Sequence, residues 1–130
     1  MRRILCTFSL ICCSLTATAQ SDFLGLQKRI QELFGEYKDS VVRVKGYYLE
    51  VDENDPEARP KPTVKVGTGF FISREGLVLV NASRVKGAQR VGIEQNGTEY
   101  LAEVIGMDDQ VNIALLKAVY LPDSFDFLRM

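Results

Sequence analysis

Alternating hydrophobic and polar positions from residue 40 onward predict a series of short β-strands. Ser40–Leu49 is rich in Val and other residues that fit a pleated, half-buried surface. Asn96-Gly97 lies between two such runs and is a strong hairpin signal, because both residues tolerate positive φ. Glu75-Gly76 predicts a second tight turn. The further predicted strands are 63–73, 77–81, 89–95, 98–106 and 111–118.

A helical pattern precedes these strands. Ser21 or Asp22 is suited to cap a helix that runs to about Lys38. We expect its apolar face to pack on the domain body, and contacts between copies of the chain are the alternative. Between the first two strands, Glu50–Lys61 is acidic and contains two prolines, which predicts an exposed loop rather than a calcium site. The apolar face of the helix consists of Leu24, Leu26, Ile30, Leu33, Phe34 and Tyr37.

The first nineteen residues have the three parts of a signal peptide. Arg2 and Arg3 form a basic start, Ile4–Leu15 is a short apolar core, and Ala17-Thr18-Ala19 is a small-x-small cleavage site. The apolar core is too short to span a bilayer. We therefore predict export to the periplasm or the medium, with cleavage after Ala19.

The composition argues against several kinds of binding site. All three cysteines, Cys6, Cys12 and Cys13, lie in the predicted signal peptide, and the sequence contains no histidine. A zinc site of the usual nitrogen and sulfur type is therefore not expected, and no cofactor is expected either. A lipoprotein anchored through Cys12 or Cys13 is disfavoured, because the bulky Ile11 precedes Cys12. The net charge of −1 gives no basic field for nucleic acid.

The segment Gly67–Lys117 carries an ordered set of motifs: GTGFF, then GLVLVNASRVKGA, then GTEYLAEVIGMDDQVNIALLK. It resembles the trypsin-like serine proteases of the HtrA/Deg type, where the pattern is roughly G-S-G-F-I-I, G-Y-I-L-T-N-x-H-V-V-x-G-A and G-x-x-Y-x-A-x-V-x-G-x-D-x-x-x-D-I-A-L-L-K. The resemblance implies an all-β fold: a single six-stranded Greek-key barrel of trypsin type over 40–118, the N-terminal half of a double-barrel protease. One helix over 20–39 would precede it, and a tail over 119–130 would resemble the linker between the barrels.

The same resemblance places Ser83 at the position of the catalytic histidine and Asn112 at that of the aspartate. A hydroxyl is too weak a base to replace imidazole, and an amide carries no charge to stabilise one. The nucleophile loop of the family, G-N-S-G-G-P, has no counterpart in the sequence, so no catalytic residue is expected to be intact. The S-x-x-K spacing from Ser83 to Lys86 is too short a motif to predict a Ser–Lys dyad. Gly67 and Gly69 are expected to allow close approach of backbone.

These observations favour a catalytically inactive, exported, protease-like domain, either a binding or assembly module or a truncated protease half. Its partner would be a protein or peptide, with related protease subunits as candidates. The alternative is a subunit or fragment of an active trypsin-like endopeptidase in cell-envelope protein quality control, which would need a base from elsewhere. A third hypothesis is a homo-oligomer formed through the N-terminal helix, with the apolar cluster Phe125–Leu128 as a further contact surface.

Overall fold

A computed structural model describes the backbone of residues 8–55 and 57–130, and the side chains from Asp22 onward except that of Pro56. The chain divides into two compact units, Met1–Glu36 and Tyr37–Met130. Arg2, Arg3 and Cys6 of the predicted signal peptide lie outside the described residues, and cleavage after Ala19 stays a prediction. No helix in the described part of the chain is long and apolar enough to cross a membrane.

The N-terminal helix α1 spans Phe8–Tyr37. The predicted start at Ser21 or Asp22 was wrong: the helix runs through both residues without a break, because no Gly or Pro interrupts the sequence between Phe8 and Leu24. A short 3₁₀ turn, Lys38–Ser40, follows it. The large apolar side chains of α1 from Phe23 onward are exposed in this structure, and the packing of the apolar face on the domain body stays a prediction.

Six antiparallel strands in the described residues close into a barrel with the neighbour order β1-β2-β3-β6-β5-β4. The predicted all-β, six-stranded barrel is therefore confirmed, and the strand ends differ from the predicted ones by no more than two residues. A β-bulge between Val104 and Gly106 interrupts the pairing of β5 with β6. The strands are β1 Val41–Glu50, β2 Lys61–Phe71, β3 Leu77–Asn81, β4 Arg90–Gln95, β5 Thr98–Asp108 and β6 Ile113–Ala118.

The barrel interior is filled mainly by small and β-branched side chains from alternate positions of the strands. Phe71 and Ile93 are the largest of these and are fully buried. The small residues keep the barrel narrow, so that one aromatic ring and a few branched side chains suffice to fill it. The other inward residues of the strands are Val42, Val44, Val78, Val80, Val91, Ala102, Ala114, Leu116 and Ala118.

The C-terminal tail packs against one end of the barrel. The ring of Phe125 lies on that of Phe71, with 4.4 Å between centroids. The backbone N–H of Leu128 donates to the carbonyl of Phe71 at 2.8 Å, and Phe127 packs against the core. The apolar cluster of the tail therefore lies back on the barrel, whereas Tyr120 remains 70% exposed.

A polar network lies on the outer surface of the barrel, at the pairing of β1 with β4 that closes it. The ammonium of Lys45 forms ion pairs with Glu94 and, at 3.3 Å, with Glu99. The hydroxyl of Tyr47 donates to the carboxylate of Glu99 at 2.8 Å. Hydrogen bonds to the two carboxylates raise the pKa of Lys45, and the hydrogen bond from Lys45 lowers the pKa of Glu94. The network thus holds β1, β4 and β5 together while its groups are charged.

The lowered pKa of Glu94 predicts a pH-dependent stability. Ionised Glu94 favours the folded state above the unfolded-state pKa of about 4.3, and this contribution is lost as pH falls through the lower folded-state pKa. The raised pKa of Lys45 stabilises the folded state below about pH 10.4, and this stabilisation is lost as pH rises through the folded-state pKa. We expect Lys45→Met to lower the urea midpoint at neutral pH and to flatten its fall with acid. Lys61→Met, at the exposed start of β2, is the control, and equal acid dependence in wild type and Lys45→Met would contradict the prediction.

Candidate functional site

The structure brings together the two residues that the resemblance assigns to catalytic positions. Ser83 lies in a 3₁₀ turn, Ala82–Arg84, directly after β3, and Asn112 lies directly before β6. In the antiparallel pairing of these strands Asn81 is opposite Ile113. The residues just beyond that pair therefore meet at one end of the barrel.

Asn112 holds the Ala82–Arg84 turn with two hydrogen bonds. The backbone N–H of Ser83 donates to the side-chain oxygen Oδ1 of Asn112 at 2.9 Å. The backbone N–H of Ala82 donates to the carbonyl of Asn112 at 3.0 Å. Asn112 has φ of 55°, a left-handed conformation that Asn adopts more readily than most residues. Its amide oxygen is thus engaged with the backbone of the turn.

The side chains at this site offer no general base. Ser83 and Asn112 are both exposed and neutral, and neither group takes up a proton near neutral pH. Lys86, the partner in the disfavoured Ser–Lys dyad, donates to Oδ2 of Asp109 at 2.7 Å. An ammonium group paired with a carboxylate has no lone pair with which to activate a hydroxyl. Among the residues whose side chains are described, 22–55 and 57–130, no group of three or more acidic, Cys or His side chains is placed to bind a metal ion.

Two glycines allow the Ala82–Arg84 turn to pack closely against the barrel. A Cβ on Gly46 would collide with the backbone carbonyl of Arg84, and one on Gly67 would lie 2.7 Å from Cγ of Arg84. The hydroxyl of Tyr48 donates to the same carbonyl at 2.8 Å. Burial raises the pKa of Tyr48, which keeps this hydroxyl protonated as a donor.

The close approaches expected at Gly67 and Gly69 differ in kind. At Gly69 the neighbour is backbone, since an added Cβ would lie 2.8 Å from the carbonyl of Leu79. At Gly67 the neighbour is the side chain of Arg84 rather than backbone. The sequence reasoning missed the contact at Gly46, although a glycine inside a Val-rich strand is a signal of such an approach.

An apolar row lies beside this site on the outer surface of the barrel. Val41 is opposite Phe70, Phe70 is opposite Leu79, and Leu79 is opposite Leu115 in the strand register. We call these four residues the outer row. Next to it, a shallow groove is lined by Thr68, Phe70, Leu79, Val80, Asn81 and Ile113.

Comparisons with known proteins point to one type of protease, although no family model matches the chain. Serine protease HTRA1A of Danio rerio is 38% identical over 84 residues, which are 64% of this chain and 17% of that protein. A probable periplasmic serine endoprotease, DegP-like, of Halomonas elongata is 40% identical over 53 residues, or 40% of this chain and 11% of that protein. The match thus spans only 11% to 17% of the length of these curated relatives.

Two solved structures share the barrel. The active form of the Rv3671c protease from M. tuberculosis superposes with a TM-score of 0.52 and 27% identity, over 68% of this chain and 34% of that one. The HtrA-type protease AlgW, solved with a decapeptide, gives a TM-score of 0.53 at 18% identity, over 75% of this chain and 34% of that one. The barrel of this chain therefore has the trypsin-like fold of HtrA-type proteases, and its sequence is homologous to their protease domain.

The contact between Asn112 and the turn predicts a graded effect of substitution. Asn112→Ala removes the acceptor for Ser83 N–H and disfavours the left-handed backbone, for a combined loss of about 2 kcal/mol in unfolding free energy. Asn112→Gly removes only the acceptor and is expected to lose about 1 kcal/mol. Asn112→Asp keeps an oxygen in place and is the control that stays near wild type. Urea unfolding measures all three, and an Asn112→Ala variant as stable as wild type would contradict the role of this contact.

Proposed function

We propose that this chain is an exported, catalytically inactive domain with the HtrA-type protease fold, and that it acts by binding a protein partner. The neutral pair Ser83 and Asn112 at the two aligned positions carries the proposal. The residue aligned with the general base is a serine, and the residue aligned with the catalytic carboxylate is an amide whose oxygen accepts the backbone N–H of Ser83.

The expected loss of activity is large. In a serine protease the imidazole takes the proton of the nucleophile, and the carboxylate sets its tautomer; losing even the carboxylate costs about 10⁴-fold in rate. Ser83 and Asn112 supply neither group, and the sequence contains no histidine that could replace them. An active enzyme would need its base from elsewhere, for instance from another chain.

Export is supported by two independent observations. The sequence from Arg2 to Ala19 has the basic start, apolar core and small-residue site of a signal peptide. Several relatives are named probable periplasmic serine endoproteases, among them the DegP-like proteins of Halomonas elongata and Rickettsia prowazekii. We therefore place the domain in the cell envelope or outside the cell.

The outer row supports a role in binding. It is apolar and lies on the outside of a barrel whose core is filled from within, so it adds nothing to that core. Ile113, next to the row, is 44% exposed, and so is Val41 within it. Contiguous apolar surface of this kind favours contact with another protein. We propose a protein partner that presents an apolar surface, with related protease subunits as the first candidates.

The second candidate is a subunit of an active trypsin-like endopeptidase in envelope protein quality control. The exposed hydroxyl of Ser83 and the preserved pairing of its turn with Asn112 favour it over an unrelated enzyme. In that case the base would come from elsewhere, for instance from another chain, and a serine of the active enzyme would react with an active-site reagent.

Inactivity is tested with a fluorescent fluorophosphonate, which reacts with activated serines. We expect no labelling of Ser83 or of any other serine in the purified chain, because no base is present to activate them. An active HtrA-type protease labelled in parallel shows that the reagent works, and Ser83→Ala identifies any signal from that residue. Labelling that Ser83→Ala abolishes would contradict the proposal and favour the second candidate.

The binding surface is tested by photo-crosslinking in the producing organism. A photoreactive amino acid at Leu79 is expected to give one discrete adduct, and Ile113→Glu is expected to abolish it, because a charge beside the outer row opposes apolar contact. The same amino acid at the exposed Glu103 of β5 is the matched control. Equal adducts from Leu79 and Glu103, or none from Leu79, would refute binding at this surface.

A further inference from the structure

Two cations are neighbours on one face of β2, close to the Ala82–Arg84 turn. Lys65 and Gly67 occupy alternate positions of β2, so they face the same side of the strand, about 7 Å apart. The side chain of Arg84 lies over Gly67, where an added Cβ would be 2.7 Å from its Cγ. The positively charged side chains of Lys65 and Arg84 therefore share one small area of the surface.

Tyr48 holds both of these residues in position. The ammonium of Lys65 lies 4.4 Å from the centroid of the Tyr48 ring, whose negative face attracts a cation. The hydroxyl of the same ring donates to the backbone carbonyl of Arg84 at 2.8 Å. Burial raises the pKa of Tyr48, and the positive charge of Arg84 opposes this rise, which shows that the charge lies close to the ring. We call Tyr48, Lys65 and Arg84 the basic cluster.

Neither cation of the basic cluster has an anionic partner in the described part of the chain. Among the side chains that the structure describes, no carboxylate forms an ion pair with Lys65 or Arg84. Lys86, two residues after Arg84, is by contrast paired with Asp109. Two like charges that are held close together repel each other, and a bound negative charge offsets that repulsion. The basic cluster is therefore suited to bind an anion.

We propose that the basic cluster binds carboxylate side chains of an acidic segment in a partner protein. The planar guanidinium of Arg84 can donate two parallel hydrogen bonds to one carboxylate, and the ammonium of Lys65 can pair with a second. A nucleic acid is disfavoured, because the net charge of −1 gives the chain no general attraction for a long polyanion.

This surface is separate from the outer row. Lys65 and Phe70 are an odd number of positions apart in β2, so their side chains lie on opposite faces of the strand. The proposal therefore goes beyond the apolar contact at the outer row and does not depend on it. A failure of one leaves the other to its own test.

Binding at the basic cluster is expected to be weak and sensitive to salt. The charges lie at the surface, where the screening length is about 30 Å at 0.01 M salt and about 10 Å at 0.1 M. Exposed ion pairs contribute little each, so loss of both is expected to weaken binding about fivefold or more. Low salt is therefore the condition in which the two pairs are measured best.

The test measures the fluorescence anisotropy of labelled octaglutamate with the purified chain. The double variant Lys65→Gln with Arg84→Gln removes both charges but keeps polar side chains. The matched control, Lys38→Gln with Arg129→Gln, removes the same charge from two exposed residues. Lys38 precedes the start of β1, whereas Tyr48 lies near its end. Urea unfolding checks that each variant is folded.

We expect wild type and the control variant to bind octaglutamate with a dissociation constant below about 1 mM at about 0.01 M salt. The double variant should bind about fivefold or more weakly, and Lys65→Gln alone, which leaves the Ala82–Arg84 turn unchanged, about twofold more weakly. Higher salt should weaken binding to wild type, and labelled octaglutamine should not bind.

Three results would overturn the proposal. The first is a wild type that does not bind octaglutamate at low salt. The second is equal binding by wild type and both test variants, or an equal loss in the control variant, since net charge alone would then explain the effect. The third is tighter binding of labelled octathymidylate than of octaglutamate, which would favour a nucleic acid as the partner.

Discussion

The hold of Asn112 on the Ala82–Arg84 turn is the contact on which this end of the barrel depends. One residue supplies both acceptors, its carbonyl for Ala82 and its amide oxygen for Ser83. This turn places Ala82 and the following Val85 in the buried core. The residue that the resemblance aligns with a catalytic carboxylate therefore holds the local backbone through both its side chain and its carbonyl.

The features that close the barrel are separate from this site. Barrel closure depends on strand pairing, a small-residue interior and the polar network around Lys45, none of which involves Ser83 or Asn112. A neutral pair at the site needs only local hydrogen bonds, whereas a buried catalytic ion pair would cost desolvation. We propose the apolar outer row, rather than this site, as a surface that binds a partner.

Much of the fold could be predicted from sequence because its signals are local. Alternation placed the six strands, and Asn96-Gly97 has positive φ at both residues, as its hairpin turn predicted. The motif spacing led to Ser83 and Asn112, but the engagement of Oδ1 with the Ser83 backbone depends on tertiary geometry and was not foreseen. The close packing of Arg84 against Gly46 was not predicted for the same reason.

The start of helix α1 and the position of the tail could not be predicted from sequence. The start of α1 was misplaced because a good cap residue at Ser21 does not end a helix whose preceding residues also favour it. An apolar cluster in the tail is compatible with packing and with exposure, and the contacts of Phe125, Phe127 and Leu128 with the barrel show packing.

The central claim, that Asn112 holds the Ala82–Arg84 turn through its side-chain oxygen, is tested most directly by hydrogen exchange at the backbone amide of Ser83. Ser83 is an exposed residue, so an amide without a partner would exchange at the rate of an open chain. The account predicts an amide that exchanges at least about tenfold more slowly, the equivalent of about 1.4 kcal/mol. Exchange of Ser83 at the open-chain rate in the wild-type protein would contradict it.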